Sequence, residues 1–172
     1  MSVYAKWPLA CLGSLMLMNT AMAEDMPSAT DVSFDHHIID EAYVSSAFGT
    51  REDPFRKKLS WHGGVDLGAK WDAPIHAPAN GKVIYADTKA GYGKMVDLQV
   101  SEDWVIRFAH MSDIEVKVGD DLSPGDTLGA VGTVARSTGP HLHLEARYAD
   151  KQYDPRQLEG LRLFETEKTR PN

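Results

Sequence analysis

From Trp71 to Val131 the chain reads as a run of short apolar and polar alternations broken by turn signals. Asn80-Gly81 is a hairpin signal leading into Lys82-Val83-Ile84-Tyr85-Ala86, and Gly91-Tyr92-Gly93 marks another turn. Met95 to Val100 and Trp104 to His110 alternate in part, joined by the polar Ser101-Glu102-Asp103. Val118-Gly119-Asp120-Asp121 and Ser123-Pro124-Gly125-Asp126 punctuate the next stretch, before a last run from Thr127 to Val131. Long helical periodicities are few, so the pattern predicts a mainly β, antiparallel domain. One short helix is expected near the end, started by Pro155 and packed through Leu158, Leu161 and Phe164, with the last residues disordered.

The strand with most chemistry follows the turn signal Gly139-Pro140. In His141-Leu142-His143-Leu144-Glu145 the two imidazoles project from one face and the leucines from the other, because strand side chains alternate. Their Cα atoms stand about 6.5–7 Å apart, so one can bind a metal while the other reaches what that metal binds. Upstream, His62-Gly63-Gly64-Val65-Asp66 places a nitrogen and an oxygen donor four residues apart. The two glycines argue against a shared helix face, each costing about 1 kcal/mol in a helix interior. A tight loop or bulge is expected instead, and by itself such a pair is as ordinary as any hydrogen-bonded His and Asp.

Composition narrows the setting. The 172 residues are 42% hydrophobic and 25% charged, enough for one domain with a core, and the net charge of -7 offers no basic field for nucleic acid or an anionic membrane. Lys6, the apolar run Trp7 to Met18 and Ala21-Met22-Ala23 have the form of an export leader over residues 1–23, cleaved after Ala23. The run is too short for a membrane anchor, so no stable insertion is expected after cleavage. Cys11, the sole cysteine, falls inside it, so the mature chain has no disulfide and a periplasmic or secreted address is expected. Residues 24–44 are expected to be a mobile start and a short lead-in, residues 45–158 the domain, and residues 159–172 a tail.

Several stretches together resemble the lysostaphin-like (LytM-type) zinc metallopeptidases, which cut peptide bonds in bacterial peptidoglycan. The resemblance rests on Phe48-Gly49-Thr50-Arg51, His62-Gly63-Gly64-Val65-Asp66, Pro74 to Val83, Gly91-Tyr92-Gly93, Phe108-Ala109-His110-Met111-Ser112, Val118-Gly119-Asp120 and Ser137 to Glu145. It implies a compact, mostly antiparallel β-sheet or sandwich with a metal at the floor of a narrow groove. It also implies His62, Asp66 and His143 as ligands of one Zn²⁺ per chain, and His110 and His141 as catalytic histidines. The activity implied is hydrolysis of peptidoglycan cross-links or stem peptides, a zinc-activated water attacking the amide with both histidines assisting. Bonds between D-Ala and a diamino acid are the favoured target, with glycine-rich bridges as the alternative. Two departures are Phe108, where the family commonly has Tyr, and Val134-Ala135, where Thr-Gly is frequent. Two imidazoles and a carboxylate suit catalytic zinc on independent grounds, since they leave a fourth position open. A non-catalytic wall-binding domain, an activator of another hydrolase and a zinc-stabilised structural module are the competing classes.

Other polar residues carry two readings each. Glu145 shares the face of His143, as a support for that ligand or as an exposed strand residue. Arg51 suits either a substrate carboxylate or a loop brace. Tyr92 either lines the groove or packs beneath it. His36-His37 reads as solvent-exposed, although short histidine tracts also bind metal, or as part of a lead-in that folds back to inhibit. His76, between Pro74 and Pro78, reads as a loop or strand-edge residue.

Overall fold

A computed structural model describes residues 26–53, 57–133 and 139–170. The leader over residues 1–23, the Val134-Ala135 departure and Ser137-Thr138 therefore lie outside the described residues. Strands β1 (His37–Ser46), β4 (Val65–Gly68), β8 (Trp104–Ile114) and β11 (His141–Tyr148) form the middle of one large sheet. Before β4 come β2 (Gly49–Glu52) and β3 (Leu59–His62), a separate hairpin. Between β4 and β8 lie β5 (Pro74–His76), β6 (Gly81–Lys89) and β7 (Gly93–Gln99), and between β8 and β11 lie β9 (Asp121–Leu122) and β10 (Thr127–Val131). After β11 come β12 (Lys151–Tyr153) and β13 (Arg162–Glu167).

The main path through the sheet runs β13, β1, β4, β11, β8, β7, β6, β9, with β10 bridging β5 and β8. Among the described residues every pairing is antiparallel except β1 with β13. This is the mainly β, largely antiparallel fold that the alternation predicts. Its core gathers Val65 and Leu67 from β4, Val96 and Leu98 from β7, Ile106 and Phe108 from β8, and Leu142 and Leu144 from β11, all fully buried. The turn at Gly91-Tyr92 joins β6 to β7, as expected.

Two local expectations change. The expected helix is one 3-10 turn, Pro155–Gln157, capped by the Asp154 carboxylate on the Arg156 amide. Leu158 is buried, as expected, but the chain then extends into β13, where Leu163 and Phe164 reach the core from a strand. The tail is a strand because β1 offers it an open edge: His37, Ile39 and Glu41 pair with Arg162, Phe164 and Thr166. The segment expected as a short lead-in supplies that edge, with Ile38, Ile39 and Ala42 in the core. Gly49-Thr50-Arg51, from one of the motifs behind the family resemblance, lies in β2.

Ile38→Ala tests whether β1 is integral. Truncating a fully buried isoleucine is expected to cost about 2–5 kcal/mol, read as a lower urea midpoint at unchanged slope. A peripheral lead-in would lose less than about 0.5 kcal/mol.

Candidate metal centre

The register of three strands assembles the cluster. Asp66 on β4 stands opposite His143 on β11, which stands opposite Ala109 on β8, one residue before His110. His62 ends β3 and turns through Gly63-Gly64 into β4. The turn needs glycine at 64 for room: a Cβ there would run into the Leu144 carbonyl oxygen and meet the His143 ring. The loop expected from the two glycines is present, and the reason is close approach of β11.

His62 Nε2 lies 3.1 Å from His143 Nδ1, and Asp66 Oδ1 lies 3.1 Å from the first and 2.9 Å from the second. The opposite ring nitrogens fix the tautomers. His62 Nδ1 meets the Ala47 carbonyl at 2.8 Å, and His143 Nε2 meets Glu145 Oε1 at 3.2 Å. Carbonyl and carboxylate oxygens only accept, so each of those nitrogens donates its N–H and each neutral ring turns its lone pair inward. Two lone pairs and a carboxylate oxygen then converge, an arrangement that calls for a positive charge in their midst. Both histidines are buried, at 8% and 7% exposure. The donor set of two imidazoles and one carboxylate fits a zinc centre with an open position.

The charges follow the same logic. Burial would raise the Asp66 carboxyl, but hydrogen bonds from His143 and His62 outweigh it and hold Asp66 well below the usual carboxylate range. Burial would lower His143, but bonds to Asp66 and Glu145 raise it to about 9. Without a cation, the pocket therefore keeps a proton.

His110 and His141 flank the cluster, their ring centroids 5.1 Å apart, with His110 5.4 Å from His143. Each fixes its Nδ1 by donating to a carbonyl, Tyr92 O for His110 and Gly139 O for His141, both at 2.9 Å. Nε2 is left in each ring as the nitrogen able to accept a proton. Burial first, then the neighbouring histidines, lowers His110 to about 4. His110 also adopts a left-handed backbone, φ 63°, in which its own N–H donates to Tyr92 O at 2.9 Å. A non-glycine residue held there is of the kind that functional sites hold in place. All five residues singled out in the sequence thus stand in one neighbourhood.

Beneath the cluster lies a network of which the sequence reading holds only Glu145 and Tyr92. Glu145 is 1% exposed. Its Oε1 accepts from His143, from Tyr92 Oη at 3.0 Å and from Gln152 Nε2 at 2.9 Å; its Oε2 accepts from Arg147 at 2.7 Å and Arg107 at 3.4 Å. Arg107 in turn grips Asp97 by two bonds of 2.8 Å and lies over the Tyr92 ring. Glu145 is therefore a support for His143, and Tyr92 a bridge beneath it. Sequence reasoning misses Arg107, Asp97 and Gln152; for the first two the available signal is a charge inside each of the apolar runs Met95 to Val100 and Trp104 to His110. Arg51 approaches Asp66 Oδ2 at 3.8 Å, so it braces the carboxylate from the side. His76 lies apart from this cluster, beside Asp40.

A β domain with two imidazoles and a carboxylate on one point, flanked by two further histidines, has the make-up of a metallopeptidase. The family model described as Peptidase family M23 matches residues 60–155. The chain belongs to this family, the one its lysostaphin-like motifs resemble. The chain is 35% identical over 112 residues to the DD-carboxypeptidase/endopeptidase Mpg of Neisseria meningitidis serogroup B, covering 65% of this chain and 26% of that protein. It is 31% identical over 115 residues to the peptidoglycan DD-endopeptidase ShyA of Vibrio cholerae, covering 66% and 27%. A zinc containing peptidase from Vibrio cholerae superposes with a TM-score of 0.64 at 26% identity, over 70% of this chain and 38% of that one. The chain spans about a quarter of the length of the two curated relatives.

Glu145→Ala is expected to leave the His143 N–H without its acceptor and Arg147 and Arg107 without one of theirs, Arg107 keeping Asp97, and to cost about 3–5 kcal/mol in a denaturant titration. A cost below about 1 kcal/mol would mean that the network contributes little to holding the sheet together.

Proposed function

We propose that this chain is a zinc-dependent endopeptidase that hydrolyses peptide cross-links or stem peptides of bacterial peptidoglycan, at bonds joining D-Ala to a diamino acid. The observation that carries this reading is the convergence of the His62 and His143 lone pairs on the Asp66 carboxylate, with His110 and His141 beside it. Membership of family M23 and the activities in the names of Mpg and ShyA support the substrate class. We assign its action to the space outside the cytoplasm, after removal of residues 1–23, because that is where the substrate lies. Among the described residues no helix is long and apolar enough to cross a membrane. Residues 45–158 are the catalytic module in this reading, with β1 and β13 added as an edge pair.

His62 Nε2, Asp66 and His143 Nδ1 would hold one zinc per chain, which would supply Lewis-acid polarisation of the amide carbonyl and a water whose pKa is lowered to about 7. The protein's part is to position and to move protons. Asp66 and the two ligand rings are pre-set by Arg51, Ala47 and Glu145, so binding costs little rearrangement. His141 takes the proton of the attacking water at Nε2, and the imidazolium so formed returns it to the leaving amine. His110 shares that transfer or, when protonated, donates to the developing oxyanion.

The test is digestion of purified cross-linked peptidoglycan, read by mass. Chelator-sensitive loss of cross-linked fragments, restored by zinc, is expected. His110→Ala and His141→Ala should each cut turnover about 10²–10⁴-fold while zinc stays bound. No product from folded, zinc-loaded protein would replace this reading with a wall-binding or activator role.

Zinc uptake should also be coupled to protons. His143 is raised to about 9, so at neutral pH it carries a proton that must leave before Nδ1 can bind a cation. Zinc binding is expected to release protons and to weaken as pH falls, seen by calorimetry in buffers of different ionisation enthalpy. A binding heat independent of buffer would contradict this charge assignment.

A further inference from the structure

The fold gathers a second set of histidines that the peptidase reading leaves unused. His37 opens β1 and His76 closes β5, and these two strands pack against each other. The adjacent pair His36-His37 and the lone His76 are far apart in sequence and meet in the fold.

Ring centroids lie 4.2 Å apart for His36 and His37, 5.2 Å for His36 and His76, and 5.9 Å for His37 and His76. Asp40 Oδ1 stands 2.7 Å from His37 Nε2 and 3.5 Å from His76 Nε2. One donor atom from each of His37, Asp40 and His76 lies within 4.8 Å of the others. Bonds of about 2.0–2.1 Å to a tetrahedral zinc bring donors together at comparable spacing. The pattern repeats the chemistry of the peptidase cluster, two imidazoles on one carboxylate oxygen.

Two further observations favour a ligand here. His76 turns Nε2 towards Asp40 Oδ1 while its Nδ1 is buried, so Nε2 is the nitrogen that the ring offers to an ion. The Asp40 side chain is 58% exposed, which gives an ion a way in from solvent. His36 donates Nδ1–H to the His37 carbonyl at 2.8 Å, leaving Nε2 as its second nitrogen beside the group. The two clusters are well separated: Ser46, at the other end of β1, pairs with Asp66, about 30 Å along the strand from His37.

The geometry points to a second metal site, formed by His37, Asp40 and His76 and taking a first-row divalent cation of the zinc type, with water or His36 completing the shell. A cation there ties the start of β1 to β5. It fastens β1 in a chain whose sole cysteine, Cys11, leaves no disulfide to do so.

The experiment counts zinc on the full chain, purified without a histidine tag, and follows thermal unfolding. Two ions per chain are expected, falling to one in Asp40→Asn and in His76→Gln, with peptidoglycan hydrolysis unchanged. Asp40→Asn is the safeguard against misfolding, since it alters an exposed side chain. In an Asp66→Asn/His143→Ala background, which removes the first cluster, zinc should still raise the melting temperature, and adding His76→Gln should abolish that rise. A wild-type count, of one or of two, that neither Asp40→Asn nor His76→Gln lowers would overturn the proposal. Either result is independent of whether the chain cleaves peptidoglycan, so failure here is distinguishable from failure of the proposed activity.

Discussion

The register of β4, β11 and β8 is the constraint on which the site depends. Asp66 faces His143 across one pairing and His143 faces Ala109 across the next, so a slip of one residue in either would turn a member of the cluster to the other face of the sheet. The apolar half of the same strands resists that slip. Leu142 and Leu144 alternate with the histidines of β11, and Val65 and Leu67 alternate with Asp66 on β4, all fully buried. Core and His–Asp cluster are thus two faces of one arrangement, and the burial of the leucines holds the imidazoles in place.

A sheet face that carries histidines still has to be covered, and here it is covered by charge. Glu145 lies under His143, with Arg107, Arg147, Tyr92 and Gln152 around it and Asp97 behind Arg107. Each Glu145 oxygen has donors, so the buried charge is paired rather than stranded. The bond from His143 Nε2 to Glu145 sets the tautomer that turns Nδ1 inward, linking the network to the chemistry of the cluster.

Much of this is legible in the sequence where the chemistry is local. The alternation His141-Leu142-His143-Leu144 sets both imidazoles on one face, and Gly63-Gly64 marks the turn between His62 and Asp66. Partners that depend on long-range pairing are not legible. Arg107 and Asp97 look like ordinary outward charges until β7 and β8 are paired, and His76 reads as a loop or strand-edge residue whose meeting with His36 and His37 shows only once β5 packs on β1. The tail misleads for a related reason: Leu158, Leu161 and Phe164 fit a helical spacing, and only the free edge of β1 makes a strand of the last of them.

The most direct measurement is an anomalous difference map at the zinc edge from crystals of the zinc-loaded protein. The account predicts a peak bounded by His62 Nε2, an Asp66 carboxylate oxygen and His143 Nδ1. Full zinc occupancy elsewhere, with no peak among these three, would contradict it.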